Sequence, residues 1–194
     1  MNYKDLQDLF KIEDISELPK SIMNVLEMPV IKRNEIYFEL LKMNNHDMSY
    51  DWFQSIYEDE LAQRQKQKQD FTPNKVGVLL SKITGLDASN IYEPTAGNGS
   101  LLISNWWERC KKSSFPIMHF PSDHQIECWE LSNRSLPILL LNLSIRGIMG
   151  YVYHGDVLEK TIKAKYILLN RDNDTLAFSE IIKDEKLNLK IEQL

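Results

Sequence analysis

The segment from Ile91 to Arg109 constrains this chain more than any other. Ile91-Tyr92-Glu93 reads as a short strand and runs directly into Pro94-Thr95-Ala96-Gly97-Asn98-Gly99, after which Ser100 to Arg109 has helical spacing. Strand, glycine turn and helix in direct succession open a βαβ unit. The glycines permit a tight turn and a close approach to the backbone that a Cβ would block. The alternation continues. Gln125 to Leu131 alternates like a strand, and Ser132-Asn133 caps a helix over Leu136 to Ile145. Pro137 falls in its first turn, where a missing N–H is tolerated. Gly147 and Gly150 end that helix, and Tyr151-Val152-Tyr153 and Tyr166 to Leu169 read as two further strands. This order predicts an α/β fold on a parallel sheet with helices on its faces.

The first seventy residues read as helices. Tyr3 to Ile12 carries Leu6, Leu9 and Phe10 at helical spacing, and Pro29 opens a segment with Ile36, Phe38, Leu40, Leu41 and Met43. Ser49 is a cap for a helix through Trp52, Phe53, Ile56, Tyr57 and Leu61. That helix runs out in the stripe-less tract Gln63 to Gln69, a solvated end or linker. Val76 to Ile83 reads as a helix ending at Gly85. In the tail, Thr175 to Ile182 and Leu187 to Ile191 read as an antiparallel hairpin around Lys183-Asp184-Glu185-Lys186. The expected organisation is therefore an N-terminal helical region, 1–69, and an α/β domain, 70–194, with a C-terminal hairpin.

Composition removes several classes. At 194 residues, 43% hydrophobic and 26% charged, the chain can bury a core. The apolar run Leu136 to Leu141 is far short of the roughly 20 residues of a membrane span, and the residues from Met1 to Asp5 lack the apolar core of a signal peptide. Cys110 and Cys128 form no CxxC pair and the four histidines no ligand spacing, so no metal site and a reduced, cytoplasmic setting are expected. A net charge of −5, with pI near 5.4, is the wrong sign for gripping nucleic acid through the overall field.

Three strand ends carry groups suited to a nucleoside. The turn at Gly97 and Gly99 lets a ligand approach the start of a helix, whose free N–H groups receive anionic or polar atoms. Glu130 closes the second strand, where an acid accepts both hydroxyls of a ribose. Asp156 follows the third strand as an acceptor for an adenine amino group, with Val157 or Leu158 to pack on the ring.

With these residues in place, the chain resembles the adenine-N6 DNA methyltransferases, and among them the modification subunits of type I restriction systems. The likeness rests on Asp70-Phe71-Thr72-Pro73, on Tyr92-Glu93-Pro94-Thr95-Ala96-Gly97-Asn98-Gly99-Ser100-Leu101-Leu102, and on Glu130-Leu131-Ser132-Asn133 with the helix Asn142 to Ile148. His154-Gly155-Asp156 matches a third family element. The resemblance covers about residues 70 to 170 and implies a Rossmann-like, S-adenosylmethionine-dependent methyltransferase fold. By it, Phe71, Thr72 and Pro73 flank the methionyl end of the cofactor, with Glu93, Pro94 and the Gly97–Gly99 loop beside it. Glu130 holds the ribose, and Asp156 with Val157 the adenine.

The family's fourth element departs from the pattern. Its Asp/Asn-Pro-Pro-Tyr/Phe orients the target amino group and stacks the flipped base. Here Leu169-Asn170-Arg171-Asp172 keeps only Asn170 as a catalytic candidate. The stretch from Arg171 to Leu194 is shorter than the on the order of 100 residues that three more strands and two helices need. The resemblance then implies a fold shortened after its fourth strand, a degenerate catalytic site, and work done through a protein partner, with DNA contacted weakly or through that partner. A short Lys-, Asn- and Ile-rich chain of this kind suits a viral or mobile-element regulator or counter-defence factor. The alternative is an active N6-adenine methyltransferase subunit completed by a partner chain.

Overall fold

Local caps and apolar stripes set the first elements of the computed structural model, which describes residues 1–56, 90–112 and 119–184 together with Val76, Leu79 and Ile83. Helix α1 (Tyr3–Phe10) starts at Asn2, whose side chain accepts the Asp5 amide at 3.0 Å while the Asp5 carboxylate accepts the Asn2 amide at 2.6 Å. The exchange satisfies two amides that a helix start otherwise leaves unpaired. Helix α2 (Leu18–Leu26) has Pro19 in its first turn and buries Leu18, Ile22, Val25 and Leu26. Helix α3 (Val30–Met43) follows Pro29 and buries Arg33, Tyr37, Leu40 and Leu41. The sequence reading anticipates α1 and α3 but passes over α2. Ser49 does not cap the next helix: Asp51 Oδ1 accepts the Phe53 amide at 3.0 Å, and helical residues begin at Gln54. Val76, Leu79 and Ile83 are helical, as their spacing predicts. The rest of that helix and the Gln63–Gln69 tract lie outside the described residues.

The sheet has five strands in sequential order. They are β1 (Asn90–Glu93), β2 (Gln125–Glu130), β3 (Gly150–Asp156), β4 (Thr161–Leu169) and β5 (Glu180–Asp184). Helix α4 (Ser100–Lys112) links β1 to β2, and α5 (Ser135–Ile145) links β2 to β3. Strands β1, β2 and β3 are parallel, as expected. Strand β4 is not: it runs antiparallel to β3, with Tyr151 opposite Ile167 and Asp156 opposite Thr161. The physical reason is the connection, because Val157 to Lys160 is long enough only for a hairpin, while a parallel return needs a dozen residues or more. Strand β5 pairs antiparallel with β4, Ile167 opposite Ile182. Of the expected tail hairpin, β5 overlaps the end of the first arm and runs on into Lys183-Asp184, and the second arm, Leu187 to Ile191, lies outside the described residues.

Every residue of α5 is buried. A helix apolar all round belongs in an interior, and α5 lies between the sheet and the N-terminal helices. Tyr37 on α3 donates to Ser144 Oγ on α5 at 3.0 Å, and Phe178 packs edge-on against Tyr37 at 5.1 Å. One continuous core joins Leu6, Leu18 and Tyr37 to Leu139, Val152 and Leu168, so the helical region and the sheet share an interior. Among the described residues no helix is long and apolar enough to cross a membrane.

Candidate functional site

The parallel direction of β1, β2 and β3 brings Glu93, Glu130 and Asp156 to one edge of the sheet. Glu93 stands opposite Cys128 and Glu130 opposite His154, so the three ends are stepped across adjacent strands about 4.8 Å apart. Beyond β1 the chain turns through Gly97 at φ +57° and Gly99 at φ +95°. A Cβ on Gly99 would lie 2.9 Å from Leu139 Cδ1, so the glycine permits the packing of α5 against the loop. At Gly97 an added Cβ would meet nothing within 4 Å, so this part of the loop faces open space.

Glu130 latches the loop to β2. Its Oε2 accepts the Gly97 amide at 2.6 Å and its Oε1 the Ser132 amide at 2.7 Å. A second link runs from the Ala96 amide to the Trp129 carbonyl at 2.9 Å. Burial raises the Glu130 carboxyl above its ordinary value, and the nearby backbone amides, Ser132 and Gly97 first, oppose that rise. A carboxylate offers about four acceptor positions. The Gly97 and Ser132 amides take two, which leaves two open to a ligand.

Beneath the loop lies a polar cluster that sequence reasoning missed. Asp51, 2% exposed, accepts from Asn142 Nδ2 at 2.9 Å and from Ser100 Oγ at 3.2 Å. Asn142 also donates to the Asn98 carbonyl at 2.9 Å. Arg146 donates to the carbonyls of Met48, Tyr50 and Asn142 and stacks over Trp52 at 4.7 Å. Burial pushes the Asp51 carboxyl up and the Arg146 guanidinium down to about 10, each opposed by the charge of the other. The segment 48–54, α5 and the glycine loop are thereby tied together. The one signal in the sequence is Asn142 within an otherwise apolar helix, a buried amide that requires partners.

The remaining predicted residues divide. Phe71, Thr72 and Pro73 lie outside the described residues. Pro94 is exposed beside Glu93, whose Oε1 accepts the Thr95 amide at 3.2 Å. Asp156 Oδ1 accepts the amides of Leu158 at 2.9 Å and Glu159 at 3.1 Å, shaping the β3–β4 turn, while its Oδ2 has no hydrogen bond among the described residues. Val157 is half-buried and Leu158 is 90% exposed. Asn170 is not brought to this edge. Because β4 runs antiparallel, its end returns to the start of β3, where Asn170 Nδ2 donates to the carbonyls of Asp174 (2.8 Å), Ala177 (3.1 Å) and Gly147 (3.5 Å). It ties loops at the opposite edge, a correction to its reading as a catalytic group. Among the described residues no group of three or more His, Cys, Asp or Glu is placed to hold a metal.

The assembled edge is a glycine loop, a latched acid and a second acid on three parallel strands, suited to a nucleoside-bearing ligand. A comparison with curated proteins finds no match. The family described as N-6 DNA Methylase matches residues 48–185, a span that begins where the Arg146 contacts begin, at Met48. This chain therefore belongs to the N-6 DNA methylase family.

Proposed function

We propose that this protein is a methyltransferase-like module that binds S-adenosylmethionine along the carboxyl edge of β1 to β3 and acts through a protein partner rather than as an autonomous DNA methylase. The carrying observation is the Glu130–Gly97 latch at 2.6 Å, which makes acid and loop one unit. Two features fit a polar ligand there. Gly97 faces open space, and Asn98 Nδ2, in a residue 4% exposed, has no partner. Such an orphaned amide is costly unless something pairs with it.

In this reading the open acceptor positions of Glu130 take the ribose hydroxyls. Asp156 Oδ2 takes the adenine amino group, with Val157 against the ring. Glu93, Pro94 and the loop lie at the methionyl end, where the family resemblance also assigns Phe71, Thr72 and Pro73. When bound, the cofactor supplies an electrophilic methyl on its sulfonium. The absence of autonomous transfer rests on Asn170, whose amide is committed to three carbonyls, and on Arg171, which is paired with Glu180 at 2.8 Å. DNA is then met weakly or through the partner, in line with the net charge of −5. A role as a viral or mobile-element regulator or counter-defence factor is compatible with this reading.

Calorimetric titration with S-adenosylmethionine and S-adenosylhomocysteine tests the proposal. Binding is expected, and Glu130→Ala and Asp156→Ala should each weaken it at least about tenfold. Silence with both ligands at millimolar concentration, or unchanged affinity in the variants, overturns the site. Tritiated methyl transfer to DNA by this chain alone overturns its passive role. A second reading, an active subunit completed by a partner chain, is favoured by one observation: among the described residues β1 is paired only with β2. Methyl transfer that appears only with an added partner would establish it.

A further inference from the structure

Arg33 on α3 is 5% exposed, yet its Nε has no hydrogen-bond partner, and among the described residues its guanidinium forms no ion pair. Its one close aromatic neighbour is the Tyr37 ring, 5.5 Å from the guanidinium carbon. Glu180 attracts the guanidinium without pairing with it, and the buried Nε still lacks an acceptor, which is costly for a donor taken out of water. The side chain lines a cavity of about 390 Å³ between the N-terminal helices and the β4–β5 strands. That volume lies within the roughly 300–1,000 Å³ of small-molecule sites. The walls are apolar, with Met23, Leu26, Leu140 and Tyr166 among them, and Met28 and Val30 are exposed along its lining.

The charges narrow the ligand. Glu180 also lines the cavity, but it is held by Arg171 at 2.8 Å, and Glu27 on the lining is exposed. Lys183 is on the lining too, so two cations meet two acids, and a lining with no surplus positive charge disfavours a doubly charged phosphate. A single carboxylate offers Arg33 two acceptors for its forked donors, and the apolar walls call for an aliphatic body. We infer that this cavity binds a small amphipathic carboxylate, with its acid on Arg33 and its apolar body among Met23, Leu26 and Leu140. The site is separate from the glycine-loop edge and independent of cofactor binding.

The test uses the intact chain with ¹³C-methyl-labelled methionine, titrated at neutral pH with sodium hexanoate. Hexanamide serves as the uncharged control and acetate as the acid without a body. Hexanoate should shift the Met23 and Met28 methyl signals saturably, and binding by either control should be at least about tenfold weaker. Arg33→Met should remain folded and lose hexanoate binding; Arg33→Lys, which keeps the charge but not the fork, should bind more weakly than the parent. If hexanamide binds as well as hexanoate, if hexanoate leaves both methyls unmoved, or if neither variant weakens binding, the inference fails.

Discussion

Arg146 and Arg33 are 3% and 5% exposed, and their surroundings are opposite. Arg146 gives its protons to the carbonyls of Met48, Tyr50 and Asn142, rests on the Trp52 ring and lies near the buried Asp51. Arg33 has a ring beside it and a cavity in front of it. Burial alone therefore does not tell what a charged residue does. A buried cation whose three nitrogens all have acceptors joins parts of the fold, whereas one with a buried nitrogen left without an acceptor marks a place built for something the chain does not supply. The same contrast separates Asn170, with three carbonyl acceptors, from His154, whose Nε2 is buried without a partner.

The largest effect should come from Arg146→Met. It leaves three carbonyls without a donor and takes away the cation near the buried Asp51, and urea unfolding should show a loss of about 3–5 kcal/mol; a loss under about 1 kcal/mol would show that Arg146 does not join these parts of the fold. Asn170→Ala comes next, at about 1–3 kcal/mol, since it unpairs the Asp174 amide as well as the carbonyls. It should leave any S-adenosylmethionine affinity unchanged, and a loss of affinity would return Asn170 to the site. Arg33→Met should move the other way, from neutral to about 1 kcal/mol more stable, because it removes a buried charge whose Nε has no acceptor. A drop like that of Arg146→Met would mean that Arg33 has partners after all.

The smallest effect is a pH slope. Burial, with Lys163 and Lys183 nearby, lowers the His154 imidazole below its ordinary 6.5, a trend the Leu131 carbonyl opposes, and burial also lowers His124. The unfolded chain therefore takes up protons first as the pH falls. This contribution is complete above 6.5 and is lost progressively below it, by less than about 1.4 kcal/mol per pH unit for each imidazole. His154→Gln should flatten the slope in thermal melts taken across that range; an unchanged slope would show that His154 is not its source.

Much of the fold was legible from local pattern. The strand–glycine–helix run at Ile91 to Arg109, the proline in the first turn of α5, and the acids at the ends of β2 and β3 follow from periodicity and turn chemistry. The N-cap of α5 does not, since it is Arg134, without a side-chain bond, and not the expected Ser132-Asn133. The direction of β4 was legible too: Ile162, Ala164, Tyr166 and Leu168 alternate directly after a four-residue turn, too short for a crossover helix. Reading the strand from Tyr166 onwards hid that turn and carried Asn170 to the wrong edge. Asp51 was not legible, since nothing near it in the chain announces that Asn142 and Ser100 will close around it.

By itself the sequence determined the α/β class, the glycine loop and the kinship with the N-6 DNA methylases, because these depend on residues a few positions apart. Only the tertiary structure decided that Glu130 divides its carboxylate between the Gly97 and Ser132 amides, that Asn170 belongs to the opposite edge, and that each nitrogen of Arg146 finds an acceptor while Arg33 Nε does not. Those outcomes depend on which distant groups share a buried volume. In a medium of low dielectric, the presence or absence of one partner outweighs anything a residue's own identity can say.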